Sequence, residues 1–144
     1  MVASSIVPCP NCGAKNRTPV AATGRPRCAK CQSDLPWLVS ADDAMLAAAL
    51  DTSALVVLDL WAPWCGPCRM VAPVLEQLAT EYAGRIKVVK VNVDESPRAA
   101  ATYDARSIPT LVLLDRGRVV DRVIGAQPKP ALAQHIDRAL AART

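Results

Sequence analysis

The chain has 144 residues, 51% of them apolar and 21% charged, with no phenylalanine; this suffices for one globular core and a small appendage but not for two full domains. Its net charge of +4 is confined to one end, because within positions 1–36 Lys15, Arg17, Arg25, Arg27 and Lys30 face Asp34 alone, while the remainder carries twelve charges of each sign. No apolar run approaches the roughly 18 residues of a membrane-spanning helix, and Met1 to Pro8 lacks the basic start and apolar centre of a secretory leader, so the chain reads as cytoplasmic, with no membrane partner.

Positions 1–34 read as a separate head. Cys9-Pro10-Asn11-Cys12-Gly13 and Cys28-Ala29-Lys30-Cys31 give the spacing C-x2-C-x15-C-x2-C, which is that of a four-thiolate zinc site. Proline and glycine shape a turn whose amides can point at the sulfurs. So small a head needs a clip to fold, which favours one structural Zn2+ held by Cys9, Cys12, Cys28 and Cys31 over two disulfides or four free thiols. Four thiolates would also remove much of the head's positive charge, and no aromatic residue lies within positions 1–36 to stack on bases. Nucleic acid is therefore not an expected partner.

Asp34-Leu35-Pro36 reads as the hinge into a main domain over 35–144. Trp37-Leu38-Val39 suggests a short strand, and Ser40 with Asp42 and Asp43 offers the cap and first-turn acids of a helix whose apolar face is Met45, Leu46 and Leu50. Ala54 to Leu60 is a nearly unbroken apolar run, the mark of a strand buried on both faces. Met70, Val71, Val74, Leu75, Leu78 and Tyr82 recur at helical spacing as far as Gly84, with Pro73 inside as an expected kink.

Ile86 to Val93 reads as a second buried strand, and Ser96-Pro97 opens a short helix with a cap and a proline in its first turn. Thr110–Leu114 and Arg118–Ile124 flank Asp115-Arg116-Gly117 as a hairpin. The last helix is expected from Pro128 to Ala142, with Leu132, Ile136 and Leu140 inward and His135, the only histidine, beside that stripe at the surface. The order β-α-β-α-β-α-β-β-α predicts an α/β fold, a mixed sheet covered by helices on both faces.

The third cysteine pair has different surroundings. Cys65 and Cys68 sit in Trp64-Cys65-Gly66-Pro67-Cys68, where the buried strand hands over to a helix. A thiolate is the nucleophile of disulfide exchange, and a helix N-terminus favours negative charge, so Cys65 reads as the attacking thiol. Cys68, one turn further in, reads as the resolving thiol, with Gly66 and Pro67 keeping the connection tight. A structural half-site or an inert pair is the alternative. Asp59, closing Leu55-Val56-Val57-Leu58, should have its pKa raised by burial and exchange a proton near neutrality. Lys90, within Val88-Val89-Lys90-Val91, could equally snorkel at a sheet edge.

Asp59-Leu60-Trp61-Ala62-Pro63-Trp64-Cys65-Gly66-Pro67-Cys68, then Ile108-Pro109-Thr110, then Gly125-Ala126, resemble the thioredoxin family over roughly residues 37–144. The resemblance implies a thioredoxin fold and a protein-disulfide reductase working through a redox-active Cys65–Cys68 disulfide. It implies that Asp59 assists deprotonation of Cys68, with Lys90 as its partner, and that Pro109 is cis in a loop offering the backbone of Ile108 to an extended substrate. Trp64 would flank the nucleophile, Trp61 would pack under it, and Gly125 would complete the substrate site. Disulfide-bearing proteins become the expected substrates of a monomer, and an NADPH-dependent thioredoxin reductase the electron donor. The cysteine-rich head narrows the resemblance to thioredoxins with an N-terminal zinc ribbon, the thioredoxin 2 type. Leu60 departs from the pattern, standing where an aromatic residue is common.

Two other functions fit the same residues. Four thiolates beside a redox-active pair suggest a redox-sensing zinc switch or holdase chaperone. The basic head suggests a zinc-ribbon docking module carried on a thioredoxin scaffold.

Overall fold

The computed structural model describes residues 5–22 and 24–143. Met1 to Ser4, the start of the head and of the stretch read for a leader, lie outside the described residues, as do Thr23 and Thr144. Two short antiparallel strands, β1 (Ser5–Pro8) and β2 (Lys15–Thr18), pair from Ser5–Thr18 to Pro8–Lys15 and bring the first cysteine knuckle back on itself. Neither strand was expected, because each exposes alternate residues and carries little apolar patterning.

The main body follows the expected order: β3 (Leu38–Ser40), α1 (Leu46–Leu50), β4 (Leu55–Trp61), α2 (Gly66–Glu81), β5 (Ile86–Asn92), α3 (Pro97–Thr102), β6 (Thr110–Asp115), β7 (Arg118–Ile124) and α4 (Lys129–Ala141). The five-stranded sheet runs β3-β5-β4-β6-β7, with β3, β5 and β4 parallel, β6 antiparallel to β4, and β7 antiparallel to β6. β4 is central, which is why its apolar run has no polar alternation. Leu55 and Val57 pack with Val71, Leu75 and Leu78 of α2 and with Leu132 and Ile136 of α4. Val56, Leu58 and Leu60 face Ala49 of α1 and Ala99 of α3. The hairpin turns on Arg116 (φ +51°) and Gly117 (φ +84°), two consecutive left-handed residues that suit the twist of a two-residue connection.

Ser40 does not cap α1; it ends β3, and Met45 stands at the N-cap with no side-chain bond. The Met45 amide instead donates to the Asp42 backbone oxygen and to Asp42 Oδ1, both at 3.1 Å, and closes this segment as a turn. The neighbouring Asp43 carboxylate is used elsewhere. It accepts the amides of Arg98 (2.9 Å) and Ala99 (2.8 Å), capping α3 in place of Ser96, which makes no side-chain cap bond.

The head is tied to the body at two points. Val20 is buried among Trp37, Val39, Val56 and Val89, the Trp37 indole N–H donates to the Pro19 carbonyl at 2.8 Å, and Lys87 donates to the carbonyls of Val20 (2.6 Å) and Ala49 (2.7 Å). Asp34 rests against Gly84. There φ is +87°, and a Cβ would come within 2.7 Å of Asp34 Cγ, so the approach requires glycine.

Candidate functional site

Cys65 is the N-cap of α2, with extended backbone angles, and its Sγ accepts the Cys68 amide at 3.1 Å. It is bonded to Cys68 as a disulfide, their Cα atoms 5.3 Å apart. Gly66 and Pro67 occupy the first two helical positions, where a proline displaces no intrahelical hydrogen bond. In the reduced state the amide aimed at Cys65 Sγ and the helix terminus both stabilise a thiolate there. Both sulfur residues are about 4% exposed and pack with Ala62, Trp61, Val93 and Ile108. A macromolecular disulfide must therefore be brought to Cys65 by the surrounding surface.

Trp64, Ile108, Pro109 and Gly125, singled out in the sequence, lie around the pair or on the loop beside it. The Trp64 ring is 67% exposed, and its indole N–H donates to Asp94 Oδ2 at 3.0 Å, a tether 30 residues away that nothing in the sequence announces. The Ile108–Pro109 bond is cis, and the Ile108 carbonyl oxygen lies 3.7 Å from Cys65 Sγ. Gly125, at φ +87°, donates its amide to the Pro109 carbonyl at 2.8 Å, fastening this loop to the end of β7.

Asp59 is 3% exposed. It shares strand parity with Leu55 and Val57, whose face is covered by α2, so it belongs beneath the helix that carries Cys68. Its Oδ1 has no hydrogen-bond partner among the described residues. Burial raises its pKa from 3.8 to about 6, and the nearby Lys90 charge offsets only part of that rise. Lys90 is its register partner on β5, with the ammonium over the Trp61 ring at 5.0 Å from the centroid. His135 lies apart from the dithiol, with Nδ1 2.6 Å from Asp121 Oδ2.

In the head, the sulfurs of Cys9, Cys12, Cys28 and Cys31 all lie within 4.8 Å of one another. Cys9–Cys31 and Cys12–Cys28 are 3.5 and 3.6 Å apart, close to the edge of about 3.8 Å in a tetrahedron with metal–sulfur bonds near 2.3 Å. The two knuckles repeat one backbone design. Cys9 N–H donates to Ala14 O and Gly13 N–H to Cys9 O; Cys28 N–H donates to Ser33 O and Gln32 N–H to Cys28 O. Gly13 (φ +78°) and Gln32 (φ +67°) are equivalent left-handed positions, and the amides of Asn11 and Lys30 each point at a sulfur 3.4 Å away. The donor set fits one tetrahedral thiophilic ion with no open position. Asn16, which sequence reasoning passed over, aims Nδ2 at Cys28 Sγ (3.4 Å) while its Oδ1 accepts the Ala29 amide (3.0 Å), locking one knuckle to β2.

A cysteine pair capping the helix that follows the central strand of this β3-β5-β4-β6-β7 sheet is the arrangement of a thiol–disulfide oxidoreductase on the thioredoxin fold. The family model "Thioredoxin" matches residues 36–138, and the chain belongs to the thioredoxin family. It is 52% identical over 99 residues to Thioredoxin 1 of Nostoc sp., covering 69% of this chain and 92% of that one. It is 54% identical over 91 residues to Thioredoxin 1 of Synechococcus elongatus, covering 63% and 85%. Thioredoxin M5, chloroplastic, of Oryza sativa subsp. japonica is 42% identical over 130 residues, 90% of this chain and 75% of that one. The protein is a protein-disulfide oxidoreductase.

Proposed function

We propose that this chain is a thioredoxin of the zinc-ribbon, thioredoxin 2 type: a cytoplasmic monomer that reduces protein disulfides and is recharged by a thioredoxin reductase. The observation that carries the reading is the Cys68 amide aimed at Cys65 Sγ on the N-cap of α2. In the reduced protein the Cys65 thiolate attacks one sulfur of a substrate disulfide, forming a mixed disulfide and releasing the other substrate sulfur as a thiolate. Cys68 then gives its proton to Asp59 and attacks Cys65 Sγ, closing the intramolecular disulfide and expelling the second substrate thiolate. Two electrons have passed to the substrate, and a reductase dithiol restores the pair. Asp59 suits this task because a carboxyl titrating near pH 6 can both take up and return a proton around neutrality. Lys90 tunes that acid by its charge.

Trp64, Ile108, Pro109 and Gly125 form the proposed substrate surface, on which an extended strand hydrogen-bonds to the Ile108 backbone. The exposed side chain of Ile124, opposite Thr110 in the hairpin register, extends it. The reading gives the head, residues 1–34, a separate role from the domain over 35–144, a division supported by the family match beginning at Pro36. Cys9, Cys12, Cys28 and Cys31 hold one Zn2+, which supplies a closed structural cross-link and no chemistry at the dithiol.

No helix among the described residues is long and apolar enough to cross a membrane. The test is insulin-disulfide reduction with dithiothreitol or a thioredoxin reductase as donor, with metal content measured in parallel. Cys65→Ser should abolish turnover while keeping one zinc per chain. Full activity in that variant rejects the dithiol assignment, and purified protein without zinc rejects the metal assignment.

A further inference from the structure

At the end of the sheet opposite the dithiol, a cleft of about 590 Å³ opens between the head and the body. Arginines line it from both sides: Arg25 and Arg27 from the head, Arg85 ahead of β5, Arg116 from the β6–β7 turn and Arg143 beyond α4. Among the described residues, two carboxylates answer these five guanidiniums. Asp34 Oδ1 lies 2.7 Å from Arg25 Nε and 3.8 Å from Arg27 Nε; Asp115 Oδ1 lies 3.3 Å from Arg116 Nη1 and 3.2 Å from Arg143 Nη2. Among the described residues of the cleft, three positive charges are left over. The arrangement is built rather than incidental, since Asp34, seated on Gly84 where only glycine admits it, orients the two head arginines, and Asp115 orients the two from the body.

We propose that this cleft binds a small polyanion through two or more adjacent phosphoryl groups, such as a nucleoside triphosphate or free inorganic polyphosphate. The planar, multiply donating guanidinium matches phosphoryl oxygens, and convergence of five of them from three segments of the body and one of the head suits a compact chain of charges. The volume falls in the range of roughly 300–1,000 Å³ that holds a small molecule. The lining contains no aromatic side chain to stack on a base, so the phosphate chain carries recognition, and an extended nucleic acid is disfavoured. β4 runs from Leu55, which follows Ala54 of the cleft lining, to Trp61 at the dithiol end, about 20 Å at 3.3 Å per residue. Occupancy therefore leaves the Cys65 surface open, and the ligand bridges the head and the body without competing with protein substrates.

The test is calorimetric titration of the full-length protein, in its zinc-loaded form, with sodium tripolyphosphate, ATP, sulfate and a single-stranded oligonucleotide at one ionic strength near 0.1 M. Tripolyphosphate and ATP should bind at least about tenfold more tightly than sulfate, and the Arg27→Gln, Arg116→Gln double variant should lose about tenfold or more of that affinity. Both side chains are more than half exposed, so the fold should be kept, which near-ultraviolet circular dichroism and unaltered insulin reduction verify. Equal binding of the two polyphosphates assigns the inorganic chain as a sufficient ligand, whereas preference for ATP assigns the nucleotide; either supports the site if the double variant loses it. The proposal is overturned if sulfate binds as well as tripolyphosphate, if the double variant binds like the parent, or if the oligonucleotide binds more tightly per phosphate than tripolyphosphate.

Discussion

The Lys87 ammonium donates to the carbonyl of Val20 at 2.6 Å, so a fully buried lysine on the central sheet holds the chain that leaves the first half of the head. The same nitrogen donates to Ala49 O at 2.7 Å and lies 4.2 Å from the Trp37 ring centroid. Burial lowers its pKa from 10.5 to about 8, but two carbonyl dipoles and an indole face supply the negative potential that lets the proton stay near neutrality. Trp37 in turn donates to Pro19 O. One lysine and one tryptophan thus attach consecutive residues of the head to the body.

Replacing Lys87 with methionine keeps most of the side-chain volume but removes both donors, leaving two buried carbonyls without them. The expected cost is about 2–4 kcal/mol, read as a lowered midpoint in guanidinium unfolding. Insulin reduction should persist in the cold, because Lys87 sits near the start of β5 and the dithiol lies at the other end of the sheet. An unchanged midpoint would mean that the two hydrogen bonds do not hold the head.

Asp59 makes stability depend on pH in a defined window. Its folded pKa of about 6 exceeds its ordinary 3.8, so between those values the folded chain keeps a proton that the unfolded chain has released. Stability therefore falls as pH rises through that window, by at most about 3 kcal/mol, and stays low above it. Asp59→Asn removes the buried charge. It should raise stability near neutral pH by about 1–3 kcal/mol, flatten the dependence between pH 4 and 6, and slow turnover. Urea unfolding at several pH values checks the first two, and a variant no more stable than the parent at neutrality would contradict the burial argument.

Lys87 and Lys90 show how far the sequence could be read. Both interrupt one apolar strand three residues apart, and a spacing of three places them on opposite faces of the sheet. Which of them is engulfed depends on what covers each face, and that cover includes Val20, a residue of the head 67 positions away. The sheet itself was legible because β4 and β5 are near-continuous apolar runs, and the cysteine sites because metal ligation and dithiol chemistry constrain short spacings. The caps were not: Asp43 serves a helix more than 50 residues downstream, a pairing that tertiary structure alone creates. The strands of the head escaped for a related reason, since turns around four sulfurs, rather than an apolar face, bring them together.

Gly84→Ala should be costly out of proportion to one methyl group. The residue sits at φ +87°, and the new carbon would meet Asp34, so the chain must either strain or release that carboxylate. Roughly 1–3 kcal/mol is expected from the backbone and the contact together. If Asp34 is displaced, Arg25 loses its partner, and tripolyphosphate affinity should change along with the unfolding midpoint. A variant that melts like the parent would show that Asp34 does not need its seat on Gly84.

Cys68→Ser separates the two halves of the exchange. Cys65 keeps its place at the N-cap of α2, and a serine at 68 leaves the backbone amide that donates to Cys65 Sγ in place, so the first attack on a substrate disulfide should still proceed. Resolution requires a second sulfur within reach of Cys65, and a serine hydroxyl cannot supply it at neutral pH. Multiple turnover should therefore fall by several orders of magnitude, while one substrate equivalent stays attached. That adduct is visible as a band shift on a non-reducing gel and as a mass increase that dithiothreitol reverses. In Cys65→Ser the remaining thiol of the pair, Cys68, is about 4% exposed, and little adduct should form. If the two single variants trap substrate equally, the roles of attacking and resolving thiol are not divided as the helix N-cap implies.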